Sequence, residues 1–68
     1  MIIDIECYRL TLYCKGEDHP RVAYQRHPQL QMQDGFIVCH PEKDSLSLAG
    51  ISPSLVNSWQ IDPITKEK

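Results

Sequence analysis

Residues 29–40, which read QLQMQDGFIVCH, predict a β-hairpin. Asp34 and Gly35 tolerate the positive φ angles of a two-residue type I′ turn, and strand-forming residues flank them on both sides. A turn at these two positions sets the pairing register of the arms, because the residues nearest the loop must lie opposite each other. The predicted arms are residues 29–33 and 36–40.

The predicted hairpin has two unlike faces. Residues that lie opposite each other share a face, so Gln33 lies beside Phe36, and Met32 lies beside Ile37. One face is wholly apolar and is the predicted core face, with Leu30, Met32, Ile37 and Cys39. The other, which we call the glutamine face, mixes polar and apolar side chains: Gln29, Gln31, Gln33, Phe36, Val38 and His40.

The spacing of the prolines extends the β prediction to the whole chain. Five prolines stand at positions 20, 28, 41, 53 and 63. Because proline interrupts helices, these intervals leave little room for a helix of more than about three turns. Breaks every 8–12 residues or so are typical of short strands in a barrel or sandwich. The composition agrees, since alanine occurs only twice, whereas Ile, Val, Thr, Tyr, Phe and Trp total 17 residues.

In the first segment, residues 2–14, apolar residues alternate with polar ones as in a β-strand, with one irregularity. Ile3, Ile5 and Cys7 share one parity, and the apolar residues after them share the other: Tyr8, Leu10, Leu12 and Cys14. Side chains alternate across a strand, so this change at Cys7–Tyr8 predicts a bulge, a sharp bend or two separate strands.

The remaining elements are short. Ser52-Pro53 matches a helix N-cap followed by proline at the first helical position, which predicts one helical or 3₁₀ turn within residues 52–58. A short strand, residues 59–61, follows and is expected to end at Pro63. Two further strands are expected: residues 21–26, with Val22 and Tyr24 on one face, and residues 45–49, with Leu46 and Leu48 pointing inward.

Several short strands with one helical turn before the last resemble the SH3-like small barrels. The predicted architecture is therefore a single all-β domain over residues 1–64, a barrel of five or six antiparallel strands, with a frayed polar tail at residues 65–68. An Sm-like or OB-like barrel and a small α+β sheet are the alternatives. The resemblance concerns architecture alone, and a fold of this kind does not imply a function.

Composition and charge narrow the function classes. The chain has 68 residues, 41% of them hydrophobic, and a net charge of −2 with a pI near 5.8. The longest apolar run is far shorter than the roughly 20 residues of a membrane span, and the N-terminus has no signal-peptide pattern. We therefore expect a cytoplasmic protein, with reduced thiols at Cys7, Cys14 and Cys39. The acidic balance argues against a dedicated DNA-binding protein.

Catalytic and metal sites have weak sequence support. The cysteines and histidines lack the close pairs of structural zinc sites, and the adjacent Cys39 and His40 point to opposite faces of a strand. A small zinc domain is thus only a third interpretation, and no cofactor is expected. No phosphate-binding glycine loop is evident. The one conceivable nucleophile–base pair, Cys39 with a histidine, has its cysteine on the predicted core face, so we expect no enzyme. Each histidine precedes a proline (His19, His27 and His40), and the sequence leaves open whether they cluster.

Protein binding is the preferred interpretation. Phe36 and Val38 project among glutamines, and an apolar pair within a polar surround is typical of a partner or homodimer surface. The expected partner-binding residues are Tyr24, Arg26, Phe36 and Val38. The expected function is a non-catalytic module that regulates, inhibits or adapts a larger protein or complex.

A small barrel that binds RNA or single-stranded nucleic acid is the alternative. It rests on basic residues interleaved with tyrosines, on which bases can stack. The candidate residues are Arg9, Arg21, Arg26, Tyr8 and Tyr13.

Overall fold

The computed structural model describes residues 4–66. It contains six β-strands and one 3₁₀ turn, and the turn directly precedes the last strand, as predicted. Ser52 and Pro53 begin this turn at the expected place, although the Ser52 side chain makes no capping hydrogen bond to the backbone. The elements are β1 (Ile5–Cys14), β2 (Arg21–Gln25), β3 (Met32–Gln33), β4 (Phe36–Cys39), β5 (Ala49–Ile51), the 3₁₀ turn (Pro53–Leu55) and β6 (Val56–Thr65).

The strands form two antiparallel sheets of three strands each. Their orders are β2-β1-β6 and β3-β4-β5. The prediction of a small, almost helix-free β protein is therefore confirmed. No closed barrel is found among residues 4–66. Within these residues no helix is long and apolar enough to cross a membrane.

One backbone contact joins the two sheets. The Tyr24 N–H donates to the His40 carbonyl at 2.8 Å, and the His40 N–H donates to the Tyr24 carbonyl at 2.7 Å. The Val38 N–H donates to the Gln31 carbonyl at 3.0 Å. Because Val38 and His40 are two residues apart, their N–H groups point to the same edge of the strand. Strands β2 and β3 therefore both lie along one edge of β4, separated by the 26–31 loop.

The hairpin forms in the predicted register. Met32 lies opposite Ile37 and Gln33 lies opposite Phe36. The two loop residues have the positive φ angles that a type I′ turn requires, 53° at Asp34 and 83° at Gly35. The arms are shorter than expected, because regular pairing stops at Met32 and only the Val38–Gln31 hydrogen bond extends it.

The core lies between the two sheets. Leu10, Leu12 and Ile37 are its largest fully buried side chains. Smaller buried residues complete it, and partly buried side chains pack around it: Cys14, Ala23 and Cys39, with Leu30, Ala49, Ile51, Val56 and Ile61 at the margin. Alternation along each strand therefore leaves the opposite side chains on a second, outward surface.

Strand β1 has a β-bulge near its start. Ile5 lies opposite Thr65 and Cys7 lies opposite Ile64, so β1 has one more residue than β6 at this point. From Cys7 to Leu10 the pairing with β6 is regular, so these two buried side chains point to opposite sides of β1. Cys7 is not part of the core cluster that contains Leu10. The sequence predicts a bulge, a sharp bend or two strands at Cys7–Tyr8, but the pairing there is regular and the bulge lies before Cys7. Residues 2 and 3 of the predicted strand lie outside the described residues.

Three apolar side chains expected in the core are exposed. Met32 is on the face of Ile37, as predicted, but its exposed fraction is 51% because it adjoins the turn, beyond the packed core. The prediction for residues 45–49 was also wrong. Leu46 and Leu48 are 91% and 64% exposed, and the strand here is β5, whose Ala49 and Ile51 pack against the core instead.

The last strand is longer than predicted. Strand β6 has ten residues and includes Pro63, which lies opposite Tyr8. Proline is tolerated here because, among residues 4–66, β6 has a paired strand on one side only, so one edge needs no N–H donor. Thr65, the first residue of the expected polar tail, belongs to β6, and the Lys66 N–H donates to the Asp4 carbonyl at 3.0 Å. Residues 67 and 68 lie outside the described residues.

The three cysteines are free and buried, in agreement with the expected absence of disulfides. Burial raises the pKa of the Cys39 thiol. A raised pKa favours the neutral thiol over the reactive thiolate. Cys39 is 2% exposed and belongs to the core cluster.

Candidate functional site

The outward surface carries three of the four expected partner-binding residues. Tyr24 and His40 lie opposite each other, and residues opposite each other share a face. Val38 and Phe36 follow His40 at two-residue intervals along β4, so their side chains lie on that same face. We call this surface, with Tyr24, Phe36, Val38 and His40, the outer face. It unites the glutamine face of the hairpin with β2.

Phe36 is left open on this surface. Its exposed fraction is 51%. Gly50 of β5 lies opposite Val38, and a side-chain β-carbon at Gly50 would lie 3.7 Å from Phe36 Cβ. The glycine therefore provides no side chain that would cover Phe36 from β5. An exposed aromatic ring beside a half-buried valine is the arrangement expected of an anchor in a protein interface.

A pocket of about 220 Å³ adjoins the outer face. The hairpin contributes Gln31, Gln33 and Val38, and Leu48 contributes from the segment before β5. Small-molecule sites usually occupy about 300–1,000 Å³. The volume therefore suits one amino-acid side chain better than a cofactor.

The 26–31 loop supplies another wall of the pocket. Arg26 and His27 from this loop line it, and His40 lies there as well. The sequence left open whether the three histidines that precede proline cluster. Two of them, His27 and His40, lie around one pocket, whereas His19 does not line it. The His40 Nδ1 is 2.9 Å from the Ser47 carbonyl oxygen. Because a carbonyl only accepts, Nδ1 is the protonated nitrogen and donates this bond.

A buried amide holds the loop in place. Gln25 is only 3% exposed, and its Nε2 donates to the carbonyls of His27 at 2.7 Å and Gln29 at 2.8 Å. The two acceptors establish which end of the amide is nitrogen. Gln31 Nε2 donates to the same Gln29 carbonyl at 2.8 Å. The Gln25 Oε1 is buried without a hydrogen-bond partner among residues 4–66.

The sequence did not identify this role of Gln25. Residues 21–26 were expected to form a strand, and β2 confirms it, but the pattern did not say which side of the strand faces the core. The buried side is that of Ala23 and Gln25. Glutamine is mostly exposed in proteins, so burial of Gln25 follows from its two carbonyl partners in the 26–31 loop, which local sequence does not show.

The five candidate nucleic-acid residues do not converge. Arg9 and Tyr13 lie on the outward side of β1, and Arg9 is opposite Tyr24. Tyr8 lies opposite the buried Gln25, on the other side of the sheet, and Arg21 lies opposite the buried Leu12. Arg26 lines the pocket.

Two of these arginines already have carboxylate partners. An Arg9 nitrogen is 4.0 Å from an oxygen of Asp62. Arg21 binds Glu17 at 2.7 Å, and the two groups are exposed. The hydrogen bond from Arg21 holds the pKa of Glu17 below its usual value, and the carboxylate raises the pKa of Arg21. These pairs reduce the positive charge available to phosphates.

Metal ligands are not assembled in the described part of the chain. Within residues 4–66 no three His, Cys, Asp or Glu side chains are close enough together to hold a metal ion. Cys39 is buried and hydrogen-bonds weakly to the Ala49 carbonyl, at 3.9 Å, whereas His40 lies on the outer face. The geometry of these two neighbours agrees with their expected placement on opposite sides of β4.

Comparisons with protein-family models, with curated proteins and with solved structures found no match for this chain.

Proposed function

We propose that this chain is a non-catalytic protein-binding module whose outer face docks on a larger protein and thereby regulates, inhibits or adapts it. The observation that carries the proposal is the half-exposed Phe36 on the face of Val38. Gly50, opposite Val38 on β5, has no side chain to cover Phe36, since a β-carbon there would lie 3.7 Å from Phe36 Cβ. Aromatic anchors surrounded by polar side chains supply much of the affinity in protein interfaces. The glutamines around this pair provide the polar surround.

Tyr24 extends the proposed surface across the junction of the sheets. It is half-buried and shares the outer face with Val38 through His40. Tyrosine is enriched at interfaces because it combines a large apolar ring with a hydroxyl that can hydrogen-bond. Arg26 belongs to the same region, since it and Val38 line one pocket. The four residues thus provide an anchor, an apolar neighbour, an amphipathic ring and a charge.

The SH3-like barrel is part of this proposal. Its support is the spatial order of the strands, in which β6, β1 and β2 are neighbours and the Tyr24–His40 contact continues the series to β4 and β5. The 3₁₀ turn lies between β5 and β6 in the chain. A barrel of this order closes where β5 approaches β6. Amide hydrogen exchange tests the closure, because protected N–H groups on the free edge of β6 would support it and rapid exchange along that edge would oppose it.

Affinity capture with matched variants tests the function. The full chain is used as bait with lysate of its source cells, with and without nuclease, for the wild type, Phe36→Ser and Leu46→Ser. Leu46 is a suitable control because it is 91% exposed and lies outside the outer face. The proposal expects one protein that survives nuclease and is lost only with Phe36→Ser. Recovery that disappears with nuclease, or equal recovery with all three baits, would contradict it.

Nucleic-acid binding remains the second candidate because Arg9 lies opposite Tyr24 with Tyr13 on the same side of β1. This candidate expects binding that falls steeply as salt rises, since phosphate contacts release counterions. An apolar protein interface depends much less on salt. A salt series in the capture experiment therefore separates the two.

A further inference from the structure

The pocket beside the outer face is lined by basic side chains and, among residues 4–66, by no acidic one. The chain as a whole carries nine acidic and seven basic residues. Of the residues that line the pocket, however, none is acidic, whereas Arg26, His27 and His40 all line it. A site with donors and no carboxylate favours an anionic group over a cation.

Arg26 has free hydrogen-bonding capacity. Arg9 and Arg21 each lie within 4.0 Å of a carboxylate oxygen, at Asp62 and Glu17. Arg26 makes no such ion pair with any residue between 4 and 66. Its guanidinium carries five N–H donors in a planar fork, which matches the two oxygens of a carboxylate.

Hydrogen bonds within the chain fix two walls of the pocket. The Gln25 amide binds two carbonyls of the 26–31 loop, at His27 and Gln29, and so holds the segment that bears Arg26. The bond between His40 Nδ1 and the Ser47 carbonyl orients the imidazole. A site whose walls are held before binding loses less conformational entropy when a ligand enters.

We propose that this pocket receives a glutamate or aspartate side chain from an acidic segment of the protein partner. The inference rests on the proposed function and names the chemistry of its partner. The carboxylate pairs with Arg26, and an apolar residue of the same segment packs on Val38 and Phe36. The volume of about 220 Å³ accommodates a side chain of this size.

Two synthetic peptides that differ only in a side-chain carboxylate or carboxamide test the charge requirement. The probes are Ac-Ser-Glu-Leu-Ser-NH2 and its neutral counterpart Ac-Ser-Gln-Leu-Ser-NH2, titrated into the ¹⁵N-labelled full chain while amide chemical shifts are recorded. We expect shifts at Arg26, Gln31, Val38 and His40, and a Kd at least about fivefold lower for the Glu peptide, since charge-assisted bonds are roughly twice as strong as neutral ones.

Matched variants assign this preference to Arg26. The preference for the Glu peptide should vanish in Arg26→Gln and persist in Lys15→Gln, which removes an exposed positive charge outside the pocket. Equal affinity for both peptides, loss of the preference in both variants, or shifts confined to other residues would overturn the proposal. A short oligothymidylate that displaces the Glu peptide and binds at a lower concentration than the peptide does would also overturn the proposal, in favour of nucleic acid.

Failure of this inference and failure of the proposed function give different results. If capture of the protein partner depends on Phe36 but the two peptides bind equally, the docking surface stands and the carboxylate site is wrong. If the peptides differ as expected but Phe36→Ser leaves capture unchanged, the carboxylate site stands and the proposed docking surface is wrong.

Discussion

Tyr24 and His40 exchange two backbone hydrogen bonds, of 2.8 and 2.7 Å, across the junction between the two sheets. This pair aligns the outward sides of β2 and β4, so that side chains from separate sheets form one outer face. The same pair holds the end of β2 beside β4. Because the 26–31 loop follows β2 directly, this contact determines where Arg26 and His27 lie. The candidate site depends on this junction more than on any single strand.

Covering Phe36 from the neighbouring strand should prevent docking. Gly50→Thr places a β-carbon about 3.7 Å from Phe36 Cβ, which is ordinary van der Waals contact, so the fold should tolerate it. Threonine also favours strands more than glycine does. We expect unchanged or slightly higher stability together with loss of partner capture. Thermal unfolding and capture are measured on the same preparation, and undiminished capture would contradict the exposed-anchor interpretation.

The orientation of the buried amide is tested by Gln25→Glu. A glutamate has no donor for the carbonyls of His27 and Gln29 and brings an acceptor against both. Leaving buried polar groups unsatisfied costs about 1–3 kcal/mol each. We therefore expect a loss of unfolding free energy of at least about 1 kcal/mol in urea denaturation. The control is Gln29→Glu, an exposed residue whose carbonyl, not its side chain, accepts the bond; equal losses in the two variants would refute the assignment.

Ile37 and Met32 share one face of the hairpin but should differ in their contribution to stability. Ile37 is 1% exposed and Met32 is 51% exposed. Truncation of a buried large aliphatic residue to alanine costs about 2–5 kcal/mol because it removes apolar contacts and leaves a cavity. For Met32→Ala we expect less than about 1 kcal/mol, since surface changes are usually small. Equal destabilisation would place Met32 in the core, as the sequence pattern alone indicates.

Cys39 should make the protein less stable at alkaline pH. Its pKa is raised by burial in the folded state, whereas the unfolded thiol ionises near pH 8.5. Above that pH the unfolded chain loses a proton that the folded chain keeps, so unfolding becomes easier as pH rises towards the raised value. In Cys39→Val this part of the pH dependence should be absent. Identical alkaline slopes for the wild type and the variant would show that the thiol does not contribute.

The hairpin could be predicted because its signal is local. Asp34-Gly35 determines both the turn and the register. The parity change at Cys7–Tyr8 does not mark the bulge, which lies between Ile5 and Cys7, because Cys7 and Leu10 are buried on opposite sides of a regular stretch of β1. The exposure of Met32 could not be predicted, because alternation gives the face of a residue but not how far the opposing sheet extends. Pro63 was misread for a related reason, since proline ends a central strand but is accepted on an edge.

The candidate site was predictable in part. The glutamine face follows from the hairpin register, so Phe36 and Val38 could be placed on an outward surface from sequence. The joining of this surface to Tyr24 could not, because a contact between β2 and β4 depends on tertiary packing across a loop. The burial of Gln25 and the placement of His27 and His40 around one pocket depend on the same junction.

The central claim is that a protein partner contacts the outer face at Phe36, and photo-crosslinking tests it most directly. A benzophenone amino acid is introduced at position 36, or at position 46 as the control, in the full chain that is used for capture. The account predicts one discrete protein adduct from position 36 and none from the exposed control position. Adducts of the same protein in equal yield from both positions, or a nucleic-acid adduct at position 36, would contradict it.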